Sequence, residues 1–381
     1  MSESLHVGIA GAGLLGRLAA WQLARQGHAV EVFDPAPDAG PRFRDGFASA
    51  AQADAQAQAA GFTAAGMLSP IAELDNAEPA LAARGWRSIA LWRDIAAALP
   101  GQPFFSAQGS LMLAHRADLG SAQRVLDRLR AACASPAWTA ASPPEGARAL
   151  APAELRALEP AVSGPAHAWL LPGEAQIDAV QALLALHAAA SGSDRARWHW
   201  GRRVEIAEEG GALRLADGEA RHFDWVLDAR GLGARPGLPV RGVRGELVWL
   251  HAPGHGVRRP LRLLHPRHRV YIVPRPGDVV LVGASEIESE DRSPVSLRTA
   301  VELMAAAHSV VPVLAEARIL HLDVNLRPAL PDNGALVRRD GRCLRINGLF
   351  RHGWLLAPAL LEEGLALMAH AAAPPQEERT A

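Results

Sequence analysis

The stretch Leu5-His-Val-Gly-Ile-Ala10, followed directly by Gly11-Ala-Gly-Leu-Leu-Gly16, decides the fold of this 381-residue chain. Apolar spacing predicts a strand over the first segment and a helix over residues 17–26. A second strand is predicted over residues 29–33, and it ends at Asp34. A strand, a glycine turn, a helix and a second strand ending in an acid are typical of the unit that holds a dinucleotide.

Each glycine of this turn has its own structural reason. Gly11 allows the tight turn, Gly13 lets the backbone approach a phosphate, and Gly16 lets the helix pack closely on the strand. The start of the helix offers free N–H groups and a positive dipole end, and Asp34 is placed to accept hydrogen bonds from ribose hydroxyls. The alternatives are a buried core hairpin or a membrane span, but Arg17 and the clustered glycines argue against a span.

The composition excludes several other classes of function. With 49% apolar residues and a net charge of −1, the chain can bury a large core and has no global field that favours nucleic acid or an anionic membrane. The sequence contains no lysine, which excludes lysine Schiff-base and P-loop chemistry. Cys133 and Cys343 are too few for a disulfide framework, and no secretory leader is recognisable, so we expect a cytoplasmic protein.

Two pairs of histidines have ligand-like spacing. His251/His255 and His265/His268 lie among Pro and Gly in predicted loops, without a nearby cysteine. This setting is typical of solvated or hydrogen-bonded histidines, and we predict no metal site.

Helical and strand patterns continue through the rest of the chain. The predicted helices are 81–99, 122–133, 177–190 and 355 to about 370. The predicted strands are 108–114, 204–207, 211–215, 225–229, 244–251, 269–274, 278–284 and 343–347. Residues 135–165 are rich in Pro and Ala and predict a connector, and the Ala/Gln-rich stretch 48–60 predicts an exposed helical insertion or a loop.

These patterns predict an α/β fold with two domains. The strand 225–229 ends in a second glycine turn at Gly231, which indicates that the chain returns to the dinucleotide and favours FAD over NAD. We predict a discontinuous Rossmann-like FAD-binding domain formed by residues 1–85, 173–238 and 321–381. Residues 86–172 and 239–320 would form an α+β substrate-binding domain built on an antiparallel sheet.

Six further motifs, spread over nearly the whole chain, carry a family resemblance. They are Ala-Gly-Met-Leu-Ser-Pro at 65–70, Val-Arg-Gly-Val-Arg-Gly-Glu at 240–246, Tyr-Ile-Val-Pro-Arg at 271–275, Val-Gly-Ala-Ser-Glu-Ile-Glu-Ser at 282–289, Leu-Arg-Pro-Ala-Leu-Pro-Asp at 326–332 and Gly-Leu-Phe-Arg-His-Gly-Trp-Leu-Leu-Ala-Pro at 348–358. Together with the glycine turn, and in this order, they resemble the D-amino-acid-oxidase (DAO) family of flavoproteins. The similarity is greatest to the glycine oxidases of thiamine biosynthesis.

The resemblance implies that an arginine and a tyrosine hold the substrate carboxylate over the flavin. The matching residues are Arg327 and Tyr271, which is the only tyrosine in the sequence. A planar guanidinium suits this role because it can pair with a carboxylate through two hydrogen bonds. Two alternatives stay open: Arg327 could form a structural ion pair with Asp323 or Asp332, and Tyr271 could simply pack in the core.

The resemblance also implies the surroundings of the flavin. Arg351 matches a second active-site arginine, and the helix start at Gly353 would stabilise negative charge on the reduced ring, unless it only caps itself. Met67 and Glu286 match positions near the substrate, where Glu286 either holds the ammonium group or faces solvent. The expected cofactor-binding residues are Gly11, Gly13, Leu14, Leu15, Gly16, Asp34, Ala65, Gly66, Met67, Val204, Gly231, Arg351, His352, Gly353, Trp354 and Leu355.

The implied reaction is oxidative deamination of a small amino acid. The flavin takes a hydride from the α-carbon, the resulting imine hydrolyses to a 2-oxo acid (glyoxylate from glycine) and ammonia, and dioxygen is reduced to hydrogen peroxide. Asn325 and Leu349 depart from the family pattern, so the preference among small amines is open. Asn325 also aligns with the cysteine that tethers flavin in sarcosine oxidases, and we therefore expect non-covalent FAD.

Other functions remain open at this point. The chain could be an amine or D-amino-acid dehydrogenase that passes electrons to a quinone, or a flavoprotein subunit that depends on a partner. The arginine-rich stretch 258–275 makes a tRNA-modifying relative conceivable, but the neutral net charge and the lack of an RNA module favour a solvated face. A homo-oligomer and a thiazole-forming partner are further expectations from the resemblance.

Overall fold

The protein is described from a computed structural model. It describes residues 4–42, 58–135, 138, 145–207, 210–264 and 269–372. Most of the predicted insertion (residues 48–57) and the pair His265/His268 lie outside the described residues.

The described residues form eight α-helices and twenty strands. The helices are α1 Leu14–Arg25, α2 Pro70–Glu73, α3 Pro79–Ala98, α4 Leu119–Cys133, α5 Pro152–Leu158, α6 Ala179–Ser191, α7 Leu297–His308 and α8 Gly353–Ala372. The strands are β1 His6–Ala10, β2 Ala29–Asp34, β3 Met67–Leu68, β4 Phe105–Ser106, β5 Ser110–Ala114, β6 Arg148–Ala149, β7 His167–Leu171, β8 Ala175–Ile177, β9 Ala196–Trp200, β10 Val204–Ile206, β11 Ala212–Leu215, β12 Ala220–His222, β13 Trp225–Asp228, β14 Arg241–His251, β15 Leu261–Leu264, β16 Arg269–Arg275, β17 Val279–Gly283, β18 Arg318–Ala329, β19 Leu336–Asp340 and β20 Cys343–Asn347.

A six-stranded sheet carries the glycine turn. Its order is β19-β20-β13-β1-β2-β9, and all pairs except β19–β20 are parallel. β1 lies between β2 and β13, so the turn after β1 and the turn after β13 meet at one edge of the sheet. Helices α1, α3, α6 and α8 contribute side chains to the core against this sheet. The predicted Rossmann-like α/β arrangement is confirmed.

A second sheet of eight strands has the order β18-β14-β17-β16-β15-β5-β7-β6. Its pairs are antiparallel, except that β15 and β5 run parallel. The antiparallel sheet predicted for the second domain is therefore a mixed sheet. Helix α7 packs on one face of this sheet, and the other face is turned towards the segment around Ala65 and Met67.

Two of the differences between the predicted and the observed elements have a clear local cause. The helix expected from residue 177 begins at Ala179, because Ile177 pairs in β8 and the Asp178 carboxylate accepts the Gln181 N–H at 3.0 Å as a helix cap. The connector expected over residues 135–165 contains β6 and α5. Helix α5 starts there because Pro152 occupies its first turn and the Glu154 carboxylate accepts the Ala151 N–H at 2.8 Å.

Two of the predicted domain boundaries fall inside single elements. Residue 86 lies within α3, which packs on α8 through a hydrogen bond from Trp92 Nε1 to Trp354 O (2.8 Å). Residue 321 lies within β18, which belongs to the eight-stranded sheet. We propose that the boundaries lie at the ends of these two elements, because a sequence pattern locates an element but not the sheet it joins.

None of the helices in the described residues is long and apolar enough to cross a membrane.

Candidate active site

The glycine turn has little room for side chains. Gly11 has a φ of +99°, and a Cβ on it would lie 2.6 Å from the Ala229 carbonyl oxygen. A Cβ on Gly16 would overlap the Gly11 carbonyl oxygen, so α1 begins directly against the turn. A Cβ on Gly13 would meet nothing closer than Ala59 Cβ, at 3.6 Å. The backbone at Gly13 is therefore open to a ligand, whereas Gly11 and Gly16 are closed by the chain itself.

The turn is held from two sides at Ala12. The Asp34 carboxylate accepts the Ala12 N–H at 2.6 Å and the Ala36 N–H at 2.8 Å. The buried Arg17 donates Nε–H to the Ala12 carbonyl at 2.8 Å, and burial lowers the pKa of Arg17 to about 10. A carboxylate has about four acceptor positions, so Asp34 keeps capacity for ribose hydroxyls. Sequence reasoning missed this role of Arg17 in fixing the turn.

A single cavity of about 1580 Å³ connects this turn with the second sheet. All predicted cofactor residues line it except Gly16, which lies beneath the turn; the lining residues among them are Gly11, Gly13, Leu14, Leu15, Asp34, Ala65, Gly66, Met67, Val204, Gly231, Arg351, His352, Gly353, Trp354 and Leu355. Arg327, Tyr271 and Glu286 line the same cavity. Drug-sized ligands occupy about 300–1000 Å³, so this volume exceeds what a small molecule alone requires.

The residues around the cavity fit FAD. An open glycine backbone and an acid with free acceptor positions lie at one end, and the N-terminal turn of α8 opens into the cavity at Gly353. These are the groups that suit a pyrophosphate, a ribose and a ring that gains negative charge. Cys133 and Cys343 do not line the cavity. The Asn325 amide donates to Thr63 Oγ1 at 3.0 Å.

The strand register assembles the other end of the cavity. Arg262 of β15 lies opposite Tyr271 of β16, and Tyr271 lies opposite Gly283 of β17. A Cβ on Gly283 would lie 2.6–2.7 Å from the Tyr271 ring, and a Cβ on Gly245 would overlap the Arg327 guanidinium. Both glycines therefore make room for a predicted site residue. Neither was singled out from the sequence, because the close approach depends on which strands are neighbours.

Arg327 is half-buried and forms no ion pair with a carboxylate among the described residues. Its guanidinium donates to the carbonyl oxygens of Arg244 (3.3 Å) and Ser285 (3.0 Å). The alternative ion pairs are not formed: Asp323 lies 3.8 Å from His321 Nε2, and Asp332 accepts the Gly334 N–H. Burial lowers the pKa of Arg327, and the neighbouring Tyr271 and Glu286 oppose that shift only in part. An anionic ligand would supply the missing counter-charge.

Tyr271 places its hydroxyl next to this guanidinium. Burial raises the pKa of the Tyr271 hydroxyl, and the charges of Arg327, Arg262 and Arg275 only partly oppose that shift. The phenol is therefore neutral at physiological pH and can donate a hydrogen bond.

Glu73 forms ion pairs with two further arginines of this region, Arg351 and Arg262. The Glu73 carboxylate lies 2.8 Å from Arg351 Nη2 and 2.9 Å from Arg262 Nη2, and it also contacts His352 Nε2 at 2.9 Å. Burial alone would raise the pKa of Glu73, but the His352 hydrogen bond and the two arginine charges hold it well below its usual range. Of Arg262, Arg327 and Arg351, Arg327 is the one without an ion pair to a carboxylate in the described part of the chain, and we expect a ligand carboxylate to bind there.

A second buried carboxyl, Glu174, lies beneath the cavity near Arg262. It accepts hydrogen bonds from the Ala72 N–H (2.9 Å) and the Ser110 hydroxyl. Burial raises the pKa of Glu174 to about 7, and these hydrogen bonds with the Arg262 charge oppose the shift incompletely. Glu73 and Glu174 both lie near Arg262, but the pKa of Glu73 is lowered whereas the pKa of Glu174 is raised.

Glu286 and Met67 lie at the wall of the cavity, as the sequence predicted. Glu286 is half-exposed, and its carboxylate is 3.7 Å from Arg351 Nη1. Met67 pairs with Gln176 across β3 and β8. Glu73 and Arg262 were missed from the sequence; the available signal was a single charge inside the apolar runs Pro70-Ile-Ala-Glu73 and Leu261-Arg-Leu263.

His255, one of the histidines with ligand-like spacing, has a structural role in its loop. His255 accepts the Val257 N–H at 2.9 Å, and burial lowers its pKa. No group of three or more His, Cys, Asp or Glu side chains in the described residues could hold a metal ion.

The fold and the site define a flavin-dependent oxidoreductase, and the comparison with known families agrees. Residues 6–362 match the DAO family, described as FAD dependent oxidoreductase. The chain belongs to this family, and its cofactor is FAD.

Individual relatives agree with this assignment. The chain is 36% identical over 363 residues to the putative thiamine biosynthesis oxidoreductase ThiO of Rhizobium etli, covering 94% of this chain and 95% of that one. It is 28% identical over 205 residues to the glycine oxidase of Geobacillus kaustophilus, covering 51% of this chain and 53% of that one. Its fold resembles the crystal structure of glycine oxidase from Bacillus cereus, with a TM-score of 0.77, 19% identity and coverage of 97% and 96%.

Proposed function

We propose that the protein oxidises glycine or a similar small amino acid to the 2-oxo acid, ammonia and hydrogen peroxide, with dioxygen as the electron acceptor. The observation that carries this proposal is Arg327, a half-buried guanidinium without an ion pair to a carboxylate among the described residues, beside Tyr271 in the FAD cavity. Its similarity to a glycine oxidase and to a thiamine biosynthesis oxidoreductase supports glycine as substrate and thiamine synthesis as the context.

In this proposal Arg327 and Tyr271 bind the substrate carboxylate. The guanidinium gives two parallel donors, and the neutral Tyr271 hydroxyl adds a third. Arg351 is ion-paired with Glu73 and lies 3.7 Å from the Glu286 carboxylate, so it shapes the cavity beside the carboxylate site. Glu286, with Met67, lies where it can accept from the substrate ammonium group.

The FAD-binding residues act through position and charge. Gly13 and the first turn of α1 would hold the pyrophosphate, Asp34 would hold the ribose, and the N–H groups of the α8 N-terminus would stabilise negative charge on the reduced ring. Bound FAD would supply the redox chemistry, which is uptake of a hydride from the substrate α-carbon and return of the two electrons to dioxygen. Because the redox chemistry belongs to the cofactor, this set needs no side-chain nucleophile.

We also propose how FAD is attached, where the protein is located and what it assembles with. The FAD is held non-covalently, which agrees with the absence of both cysteines from the cavity wall. The protein is cytoplasmic, forms a homo-oligomer, and passes its imine product to a thiazole-forming partner or to water. It binds no nucleic acid.

The experiment that tests the proposal is anaerobic mixing of the FAD-loaded protein with glycine while the visible flavin absorbance is followed. We expect bleaching, reversed by air with formation of hydrogen peroxide. Absence of bleaching with glycine, sarcosine and D-alanine would contradict the proposal. Bleaching that reverses with a quinone but not with air would contradict the choice of dioxygen.

A further inference from the structure

The motif Val243-Arg-Gly-Glu246 contains a buried ion pair that has no part in the proposed reaction. Arg244 is 4% exposed and Glu246 is completely buried. Glu246 Oε1 accepts from Arg244 Nη2 at 2.6 Å and from Arg244 Nε at 3.1 Å. Because side chains alternate along a strand, this pair lies on the face of β14 opposite to Gly245, which lines the cavity.

Glu246 is also tied to Ser285 by three hydrogen bonds. The Ser285 hydroxyl donates to Glu246 Oε2 at 3.0 Å, and the Glu246 N–H donates to the same hydroxyl at 3.0 Å. The Ser285 N–H donates to the Glu246 carbonyl at 3.2 Å. The backbone of Ser285 is thus fixed relative to β14 through Glu246.

The two residues that Glu246 holds are the two that orient Arg327. The carbonyl oxygens of Arg244 and Ser285 accept the Arg327 guanidinium, and Gly245 lies between them against its planar face. A shift of either carbonyl would rotate the guanidinium, and a bidentate contact with a carboxylate depends on that orientation.

The same carboxylate fastens the segment that follows Ser285. Ser296 N–H donates to Glu246 Oε1 at 3.2 Å, and Arg244 donates to the carbonyls of Asp291 (2.6 Å) and Pro294 (2.8 Å). This segment, residues 285–296, includes Glu286, which lines the cavity. One buried ion pair therefore anchors a wall of the substrate cavity from outside the cavity.

We infer that Glu246 is a positioning residue that sets the orientation of Arg327 for carboxylate binding, through Arg244 and Ser285. The inference rests on the proposed role of Arg327. It assigns the Arg-Gly-Glu motif a function in substrate affinity rather than in stability alone.

The test measures acetate binding to the FAD-loaded protein through the change in the flavin spectrum, with KM and kcat for glycine beside it. Glu246→Gln keeps the shape of the side chain but removes its charge, and Ser285→Ala removes a single hydroxyl. We expect both variants to bind acetate about 10-fold or more weakly and to raise KM more than they lower kcat.

Glu159→Gln is the matched control. Glu159 is completely buried and paired with Arg259 at 3.0 Å, but it does not line the cavity. This variant should lose thermal stability as Glu246→Gln does while acetate binding stays within about twofold. A merely structural role for Glu246 predicts the same behaviour for the two glutamate variants.

Arg327→Ala distinguishes a failure of the proposed carboxylate site from a failure of the positioning role of Glu246. If it loses acetate binding while Glu246→Gln and Ser285→Ala bind like the wild type, the positioning role is wrong and the proposed function stands. If Arg327→Ala itself binds acetate normally, the carboxylate site is wrong and the inference falls with it. Should Glu246→Gln not fold, Ser285→Ala decides by the same criterion.

Discussion

The two ends of the cavity are built in different ways. At the dinucleotide end, the turn from Gly11 to Gly16 and the acid Asp34 come from one short strand–helix–strand unit and act mainly through backbone groups. At the carboxylate end, Arg327, Tyr271 and Glu73 come from distant parts of the chain and act through side-chain charge. The comparison teaches that a local backbone site is visible in sequence, whereas a site made of charges depends on which partners the fold brings together.

The two ends of the cavity also differ in how the charges of their arginines are compensated. The dinucleotide end contains a buried Arg17 whose donors are satisfied by carbonyls of Ala12, Ala39 and Leu183. At the carboxylate end, Glu73 forms ion pairs with Arg262 and Arg351, whereas Arg327 has no ion pair with a carboxylate among the described residues. We therefore expect an anion to bind at Arg327.

The largest expected effect is that of Arg327→Ala. Removing the guanidinium should cost about 3 kcal/mol or more in transition-state stabilisation, roughly a hundredfold or more in kcat/KM, because the substrate carboxylate loses its charged partner. FAD binding should be unchanged, since Arg327 is at the other end of the cavity from the glycine turn. Steady-state kinetics and flavin content measure the two properties.

The control for this variant lies on the same strand. Arg318→Ala removes an exposed arginine at the opposite end of β18 and should leave kcat/KM unchanged. Arg327→Lys, which keeps the charge but loses the planar fork, should fall between the wild type and Arg327→Ala. Near-native turnover of Arg327→Ala would remove this residue from the site.

In contrast to Arg327→Ala, Gly16→Ala should impair FAD binding or folding. The new Cβ overlaps the Gly11 carbonyl, so α1 must move away from the turn, at a cost of about 3 kcal/mol to FAD binding or folding. Titration of the apoprotein with FAD measures the affinity. Gly120→Ala is the control, because a Cβ there meets nothing within 4 Å in helix α4. Unchanged FAD affinity of Gly16→Ala would show that the close packing of helix and turn is not needed.

The smallest expected effect is the pH-dependent stabilisation by Glu174→Gln. The folded pKa of about 7 lies above the ordinary value of 4.5, so the folded chain retains a proton that the unfolded chain releases. The associated stability is complete below pH 4.5 and is lost as the pH rises through 7. The neutral amide avoids this loss, so the variant should be about 1–3 kcal/mol more stable than the wild type at pH 8 and equal to it at pH 4.5.

Glu73→Gln supplies the contrast, measured by urea unfolding at both pH values. The pKa of Glu73 is lowered, so its contribution to stability is present above pH 4.5 and is lost as the pH falls through its folded pKa. Glu73→Gln should therefore destabilise the protein at pH 8. Equal pH profiles for the two glutamine variants would contradict the opposite charge states of the two carboxyls.

The sequence predicted most elements and the general site because its signals are local or motif-like. The glycine turn, the strand that carries Tyr271 and the starts of α6 and α8 were found to within a few residues. The strand that carries Arg327 and the helix within the predicted connector were not predicted, since helix caps and sheet membership decide them.

The sequence by itself determined the dinucleotide unit, the family resemblance and the candidate residues, because glycine spacing and ordered motifs act over short distances along the chain. Only the tertiary structure decided that Glu73 forms ion pairs with Arg351 and Arg262, that Arg327 has no such partner among the described residues, and that Gly245 and Gly283 make room for the site. The physical reason is that the pKa and the interaction energy of a charged side chain in the protein interior depend on the groups next to it in space. Within a sheet, strand register sets which groups are neighbours.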